Sequence, residues 1–171
     1  MALSYRRCTA LDLQTLADLS SETFIAAFQA ANDPADFKEY IDRAFHPVTL
    51  EKELHTPGTQ FYFVLEGNRI VGYFKLNQDG AQTELQDAES MELERIYVLK
   101  AFQGKGLGGQ ILQEVIHLAR QADKKYLWLG VWEHNPGAIR FYLRQNFQKF
   151  GEHPYYIGSD KQTDWLLRLE L

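Results

Sequence analysis

Between positions 103 and 109 the chain reads Gln103, Gly104, Lys105, Gly106, Leu107, Gly108, Gly109. Glycines this dense let backbone amides approach a ligand with no Cβ in the way. Where a helix starts at such a turn, its first N–H groups lack partners and the positive end of its dipole points outward. That combination binds phosphate, and Lys105 can add a point charge. Just upstream stand two carboxylates, Glu92 and Glu94. Either can take a proton from an attacking group, directly or through water. Either can also simply solvate a strand end, and Glu94 can pair locally with Arg95.

The elements around these residues must place them. The run 91–99 (Met-Glu-Leu-Glu-Arg-Ile-Tyr-Val-Leu) reads as a strand, and 126–132 as a second. Between them Leu107, Ile111, Leu112, Val115, Leu118, Ala119 and Ala122 share one face of a helix running to about position 123. Two strands joined by a helix are parallel with a right-handed crossover. The glycine turn then lies at the carboxyl end of the first strand. Period-two alternation predicts Glu92, Glu94, Ile96 and Val98 on one strand face, unless a bulge intervenes.

Three phosphate-binding patterns compete for the turn. Gly104, Gly106 and Gly109 fit the dinucleotide fingerprint G-x-G-x-x-G, but too few residues follow Glu133 for the remaining units of a dinucleotide domain. A P-loop is excluded, because no Gly-Lys-Ser/Thr occurs. The third pattern, Gln/Arg-x-x-Gly-x-Gly/Ala, fits residues 103–108 with Leu93, Ile96 and Val98 ahead of it.

The rest of the chain reads as a continuous α/β domain over 1–171, without repeats or linkers. A strand is expected at 3–8, then a helix opened by Thr9 as N-cap with Asp12 three residues on, reaching about Ala31. A helix over 34–45 and a third piece over 48–54 follow, separated by His46-Pro47. Strands at 60–65 and 70–76 form a hairpin, and 77–90 reads as a polar loop. Asn135-Pro136 opens a helix carrying Ala138, Ile139, Phe141, Tyr142 and Leu143, and Asn146 suits a left-handed cap. Short strands at 147–151 and 163–171 close the chain. The order is β-α-α-β-β-β-α-β-α-β-β, a mixed sheet with helices on both faces.

Composition narrows the partners. The 171 residues are 45% hydrophobic and 24% charged, with eleven Phe, nine Tyr and three Trp, a globular composition. The formal charge of −5 argues against nucleic acid, whose recognition needs a basic surface, and suits a cationic small molecule. No apolar run approaches the roughly 18 residues of a membrane span, and the start lacks the apolar core of a signal peptide. One cysteine, Cys8, cannot form an intrachain disulfide. A cytoplasmic location is expected. No His/Cys/Asp/Glu spacing suits a metal, so none is expected. Asp79, Glu84, Asp87, Glu89, Glu92 and Glu94 form an acidic run without Lys or Arg, which could act as a wall that concentrates a polycation. Phe24, Phe28, Tyr155 and Tyr156 are candidates for shaping an acceptor cleft, and His134 and His153 read as surface histidines.

The turn, its flanking strands and the downstream Asn-Pro helix resemble the GNAT superfamily of N-acetyltransferases over essentially the whole chain. Ser21-Glu22-Thr23-Phe24, Leu93-Glu94-Arg95-Ile96-Tyr97, Trp128-Leu129-Gly130-Val131-Trp132-Glu133 and Gln162-Thr163-Asp164 further resemble the PaiA group of spermidine/spermine acetyltransferases. The resemblance implies a mostly antiparallel sheet of about six or seven strands, with the fourth and fifth parallel and splayed. It implies acetyl-CoA as donor: pantetheine against Ile96, Tyr97 and Val98, and pyrophosphate on the amides of Gln103, Gly104, Lys105, Gly106, Leu107, Gly108 and Gly109. Asn135 would contact CoA, Tyr142 would act as acid at the sulfur, and the Val98 N–H would serve as oxyanion donor. The acceptor implied is a primary amine, foremost a polyamine, with another amine (an aminoglycoside, a protein N-terminus) or an acyl-CoA-binding regulatory role as alternatives. Pairing into a homodimer is common in the family.

Overall fold

The computed structural model describes residues 2–171. Seven strands, β1 (Leu3–Arg7), β2 (Thr59–Glu66), β3 (Arg69–Gln78), β4 (Ser90–Val98), β5 (Tyr126–Trp132), β6 (Gln148–Ile157) and β7 (Asp160–Glu170), form one sheet in the order β1-β2-β3-β4-β5-β7-β6. Only β4 and β5 pair in parallel; the other neighbours are antiparallel. This is the mixed, mostly antiparallel sheet expected from the sequence.

The helices divide between the two faces. Helices α4 (Leu107–Gln121) and α5 (Pro136–Arg144) cover one side, where Ile111, Leu112, Val115, Ile139 and Tyr142 pack on Phe74, Leu93, Leu127 and Leu129. Helices α1 (Leu13–Phe28), α2 (Pro34–Ala44) and α3 (Pro47–His55) cover the other, with Leu16, Phe24, Phe37, Phe45 and Leu50 on Phe61, Phe63 and Tyr73. Local chemistry fixes the ends. Thr9 and Asp12 make a capping box ahead of α1, Asp33 caps α2 with Pro34 first inside, and Asn135 caps α5 with Pro136 first inside. Asn146 adopts the left-handed conformation, φ 69°.

Two expectations need correction. The strand placed at 147–151 continues to Ile157. Pro154 fits within it because β6 is the sheet's last strand, where a proline can leave its missing N–H on the open edge. The face-sharing of Glu92, Glu94, Ile96 and Val98 also fails. The β3–β4 register moves from Lys75↔Arg95 to Leu76↔Leu93, so Glu94 is an extra residue in a β-bulge. Met91 and Leu93 before it, and Ile96 and Val98 after it, therefore all face α4. Glu92 and Glu94 lie on the opposite face with Arg95 and Tyr97.

Candidate active site

The bulge opens the site. β4 and β5 pair over only three positions, Ser90↔Tyr126, Met91↔Leu127 and Glu92↔Trp128. Beyond Glu92 the strands part and leave a cleft of about 190 Å³. β4 residues from Leu93 to Tyr97 form one wall, and Leu129 to Trp132 of β5 the other. Asn135, Ala138 and Tyr142 of α5 close the α4/α5 side; Phe24 and Phe28 of α1 close the opposite side with Tyr155 and Asp164.

The parted edge of β4 carries free backbone groups. Leu99 donates to the Val71 carbonyl at 2.8 Å, so the residues that pair with β3 are the odd ones, 95, 97 and 99. The N–H and C=O groups of Ile96 and Val98 then point into the gap that β5 has vacated. The Val98 carbonyl accepts a hydrogen bond from Gln103 Nε2 at 2.9 Å, which ties the glycine turn to the strand end. The side chain of Tyr97 instead stacks on Tyr73, with ring centroids 5.8 Å apart on the α1 side.

At the mouth, Gly104 and Gly106 both hold positive φ, 75° and 74°. A Cβ there would be strained in the left-handed region, which glycine enters freely. Gly106 is the N-cap of α4 and offers no side chain to its first amides. The N–H groups of Leu107, Gly108 and Gly109 are thus open at the positive end of a 15-residue helix. The Lys105 ammonium rests over the Phe102 ring, 5.0 Å from its centroid, beside this turn. The turn, its open amides and the gap beside Val98 fit a ligand with a diphosphate head and an amide-bearing arm.

Tyr142 is buried, its ring held between Phe141 and Phe147 at centroid distances of 5.1 and 5.5 Å. Burial pushes its phenol well above the ordinary tyrosine value, so it keeps its proton at any physiological pH. It faces the cleft and makes no hydrogen bond among the described residues. Asn135 also faces the cleft, while its Oδ1 accepts from the Ala138 N–H at 3.3 Å. One residue therefore serves as both cap and wall.

The two glutamates fare differently. Glu92, 3% exposed, lies below the cleft beside an adjoining opening. It accepts from Asn77 Nδ2 and the Thr83 N–H, both at 2.9 Å, and from Thr83 Oγ1 at 2.5 Å. Burial raises its pKa even so. Glu94 lines the cleft but is ion-paired with Lys75, which also meets Glu53 at 2.9 Å, and Glu53 in turn holds Arg95 at 3.1 Å. Burial alone would raise Glu94, yet Arg95 and Lys75 more than offset it and leave it below the ordinary glutamate value. The cluster of two cations and two carboxylates is formally neutral.

The acidic run is not a wall. Asp79 reaches Lys124 at 3.6 Å, and Asp87 accepts from the Glu89 N–H and the Tyr126 hydroxyl. Of the run, Glu84, Glu92 and Glu94 border the adjoining opening. What the α1 side of the cleft does carry is aromatic. Phe28 meets Tyr97 and Trp132 edge-on at 6.5 and 6.3 Å, and the Tyr155 and Tyr40 hydroxyls are hydrogen-bonded. Tyr156 points away into solvent, and His134 stands edge-on to Trp132 at 5.5 Å, exposed. His153, half-buried, borders the adjoining opening and also a shallow outer pocket with Lys161 and Thr163. Asp164 was not among the sequence candidates, yet it lines both openings. Its one signal was the Gln162-Thr163-Asp164 resemblance, which gave the residue no role. Among the described residues, no three His, Cys, Asp or Glu side chains are grouped to hold a metal, and no helix is long and apolar enough to cross a membrane.

Comparison with known proteins places this geometry. The family model described as acetyltransferase (GNAT) family matches residues 13–147. An N-acetyltransferase of the pepI 3′ region of Lactobacillus delbrueckii subsp. lactis is 40% identical over 160 residues, spanning 94% of this chain and 92% of the relative. The spermine/spermidine N(1)-acetyltransferase of Bacillus subtilis (strain 168) is 43% identical over 61 residues, 35% of this chain and 40% of that protein. Among solved structures, the PaiA N-acetyltransferase of Thermoplasma acidophilum in complex with coenzyme A superposes with a TM-score of 0.78, covering 100% of both chains at 16% identity.

Proposed function

The chain belongs to the acetyltransferase (GNAT) family, and on that premise we propose that it transfers an acetyl group from acetyl-CoA to a primary amine, with a polyamine such as spermidine or spermine as acceptor. The observation that carries the reading is the gap between β4 and β5, which joins the open amides of the glycine turn to an aromatic chamber on the α1 side. The N–H groups of Leu107, Gly108 and Gly109 take the pyrophosphate, with Lys105 and Gln103 at the mouth and Gly104 and Gly106 shaping the turn. The exposed edge of β4 at Ile96 and Val98, with Tyr97 between them, pairs with the pantetheine amides, and Asn135 borders the same arm. The Val98 N–H points at the oxygen that gains charge as the amine attacks, a contribution of about 3 kcal/mol for one preorganised donor. Tyr142 keeps its proton and offers it to the departing sulfur. Donor and acceptor thus meet from opposite faces of the sheet, which supports direct attack in a ternary complex.

Phe28, Trp132 and Tyr155 present ring surfaces beside the Asp164 carboxylate, a setting that attracts an ammonium. The name of the Bacillus protein, a spermine/spermidine N(1)-acetyltransferase, adds support for a polyamine. Of the two glutamates, Glu94 borders the acceptor and helps hold the bulge that opens the gap, while Glu92 braces the strand from beneath.

The test is thiol release from acetyl-CoA with a panel of spermidine, spermine, an aminoglycoside and a peptide with a free N-terminus. Turnover is expected with the first two. Activity confined to either of the others would remove the polyamine assignment and keep the transferase. Silence with every amine, despite CoA binding, would favour an acyl-CoA-binding regulatory protein.

A further inference from the structure

We propose that Asp164 is the group that takes the proton from the acceptor's ammonium, and that His153 passes this proton to solvent. The inference rests on the N-acetyltransferase reading and deepens it.

The argument starts from strand register. Asp164 of β7 lies opposite Trp132 of β5 and opposite His153 of β6, so three side chains form a row across three strands on the acceptor face. Asp164 is half-buried, yet among the described residues it has no cation within 4 Å and accepts no hydrogen bond. Each glutamate nearby is already engaged: Glu92 by Asn77 and Thr83, and Glu94 by Lys75. The row holds two further unmatched polar atoms, Trp132 Nε1 and His153 Nδ1, both buried without a hydrogen-bond partner. Unpaired buried groups cost stability, and such costs persist where the site uses them.

Space is kept in front of the carboxylate. A Cβ on Gly130 would stand 3.3 Å from Asp164 Oδ2, so the glycine leaves the β5 wall open there for an amine. Asp164 borders both the reaction cleft and the adjoining opening, and His153 borders only the second. That arrangement gives the proton an exit on the far side from the thioester. Burial lifts Asp164 to about 6, and His153 partly opposes the rise. The titratable groups facing it are Glu94, Arg95 and Tyr97 from β4, Tyr155 and His153 from β6, and Tyr142 from α5. Glu84 and Glu92 border the second opening.

The protons balance. A primary ammonium carries three and its amide keeps one. Asp164 removes the first, which frees the lone pair for the new C–N bond. The second leaves nitrogen as the C–S bond breaks and ends on sulfur through Tyr142. The first goes to solvent by way of His153, and the carboxylate is restored.

The experiment compares wild type, D164N and G130A with spermidine, or with whichever panel amine turns over, and with hydroxylamine, an amine already unprotonated at neutral pH. D164N should lower kcat at saturating protonated amine, and not merely raise KM, by about 10²- to 10⁴-fold, the range of a lost general base, and erase the acid limb of the wild-type pH profile. Hydroxylamine turnover and CoA affinity should stay within about threefold of wild type, because neither needs the proton acceptor. G130A crowds Asp164 without changing charge and should shift the same kcat in the same direction; it decides the matter if D164N does not fold. Equal losses with both amines in D164N and G130A, or an unchanged kcat for the protonated amine, overturns the inference alone. A wild type inert toward every amine overturns the parent reading and this one with it.

Discussion

Replacing Tyr142 with phenylalanine separates packing from chemistry, because the two respond in opposite directions. The ring is buried against Phe141 and Phe147, and phenylalanine keeps those contacts and opens no cavity. Truncation to alanine would instead cost about 3–5 kcal/mol and confuse the test. The hydroxyl itself makes no protein hydrogen bond. The hydroxyl faces the cleft, so its removal should leave stability unchanged or raised by at most about 1 kcal/mol. Activity should move the other way. If the phenol donates to sulfur in the transition state, its loss removes about 3 kcal/mol, a fall of about 10²-fold in kcat. The assay is steady-state thiol release at saturating acetyl-CoA, with urea denaturation and CoA affinity measured on the same preparations. Stability held, affinity held and kcat down is the expected pattern. A kcat within about threefold of wild type would refute the reasoning and return Tyr142 to a packing role.

Two further outcomes follow from the charges. Asp164 has its pKa raised in the folded protein, so ionising it costs stability as pH rises through about 6. D164N removes that cost: its stability relative to wild type should be near zero at pH 4 and positive by about 1–2 kcal/mol at pH 8, a figure discounted for partial exposure. An equal difference at both pH values would contradict the assignment. Lys75→Met keeps most of the aliphatic stem but leaves Glu94 and Glu53 with Arg95 as their one remaining cation. Breaking a buried ion pair from one side costs about 3–5 kcal/mol, readable as a lower urea midpoint with the slope unchanged; a loss under about 1 kcal/mol would show that the cluster is well solvated.

Much of the site was legible because its signals are local. The turn at 103–109 needs left-handed backbone at Gly104 and Gly106, and only the composition of the turn itself provides it. Asn135-Pro136 opens α5 by the same short-range logic. β4, α4 and β5 were bounded by apolar spacing that the two faces of the sheet then use. What escaped depends on partners far along the chain. The bulge at Glu94 arises from the β3 register and from Lys75, 19 positions upstream. The acidic run lost its meaning once Lys124 met Asp79 and Thr83 met Glu92. β6 was read short because its pairing with β7 beyond Gly151, at the sheet edge, is a property of topology. Asp164 gained a neighbourhood only when β7 inserted between β5 and β6.

The central claim is that the amides of residues 103–109 hold a diphosphate and thereby aim a thioester into the gap beside Val98. Titration of the ¹⁵N-labelled protein with CoA, read amide by amide, tests it most directly. The account predicts saturable shifts that are largest at Gly104 to Gly109 and extend to Ile96 and Val98. Millimolar CoA that leaves these amides unmoved, or moves only residues elsewhere, would contradict it.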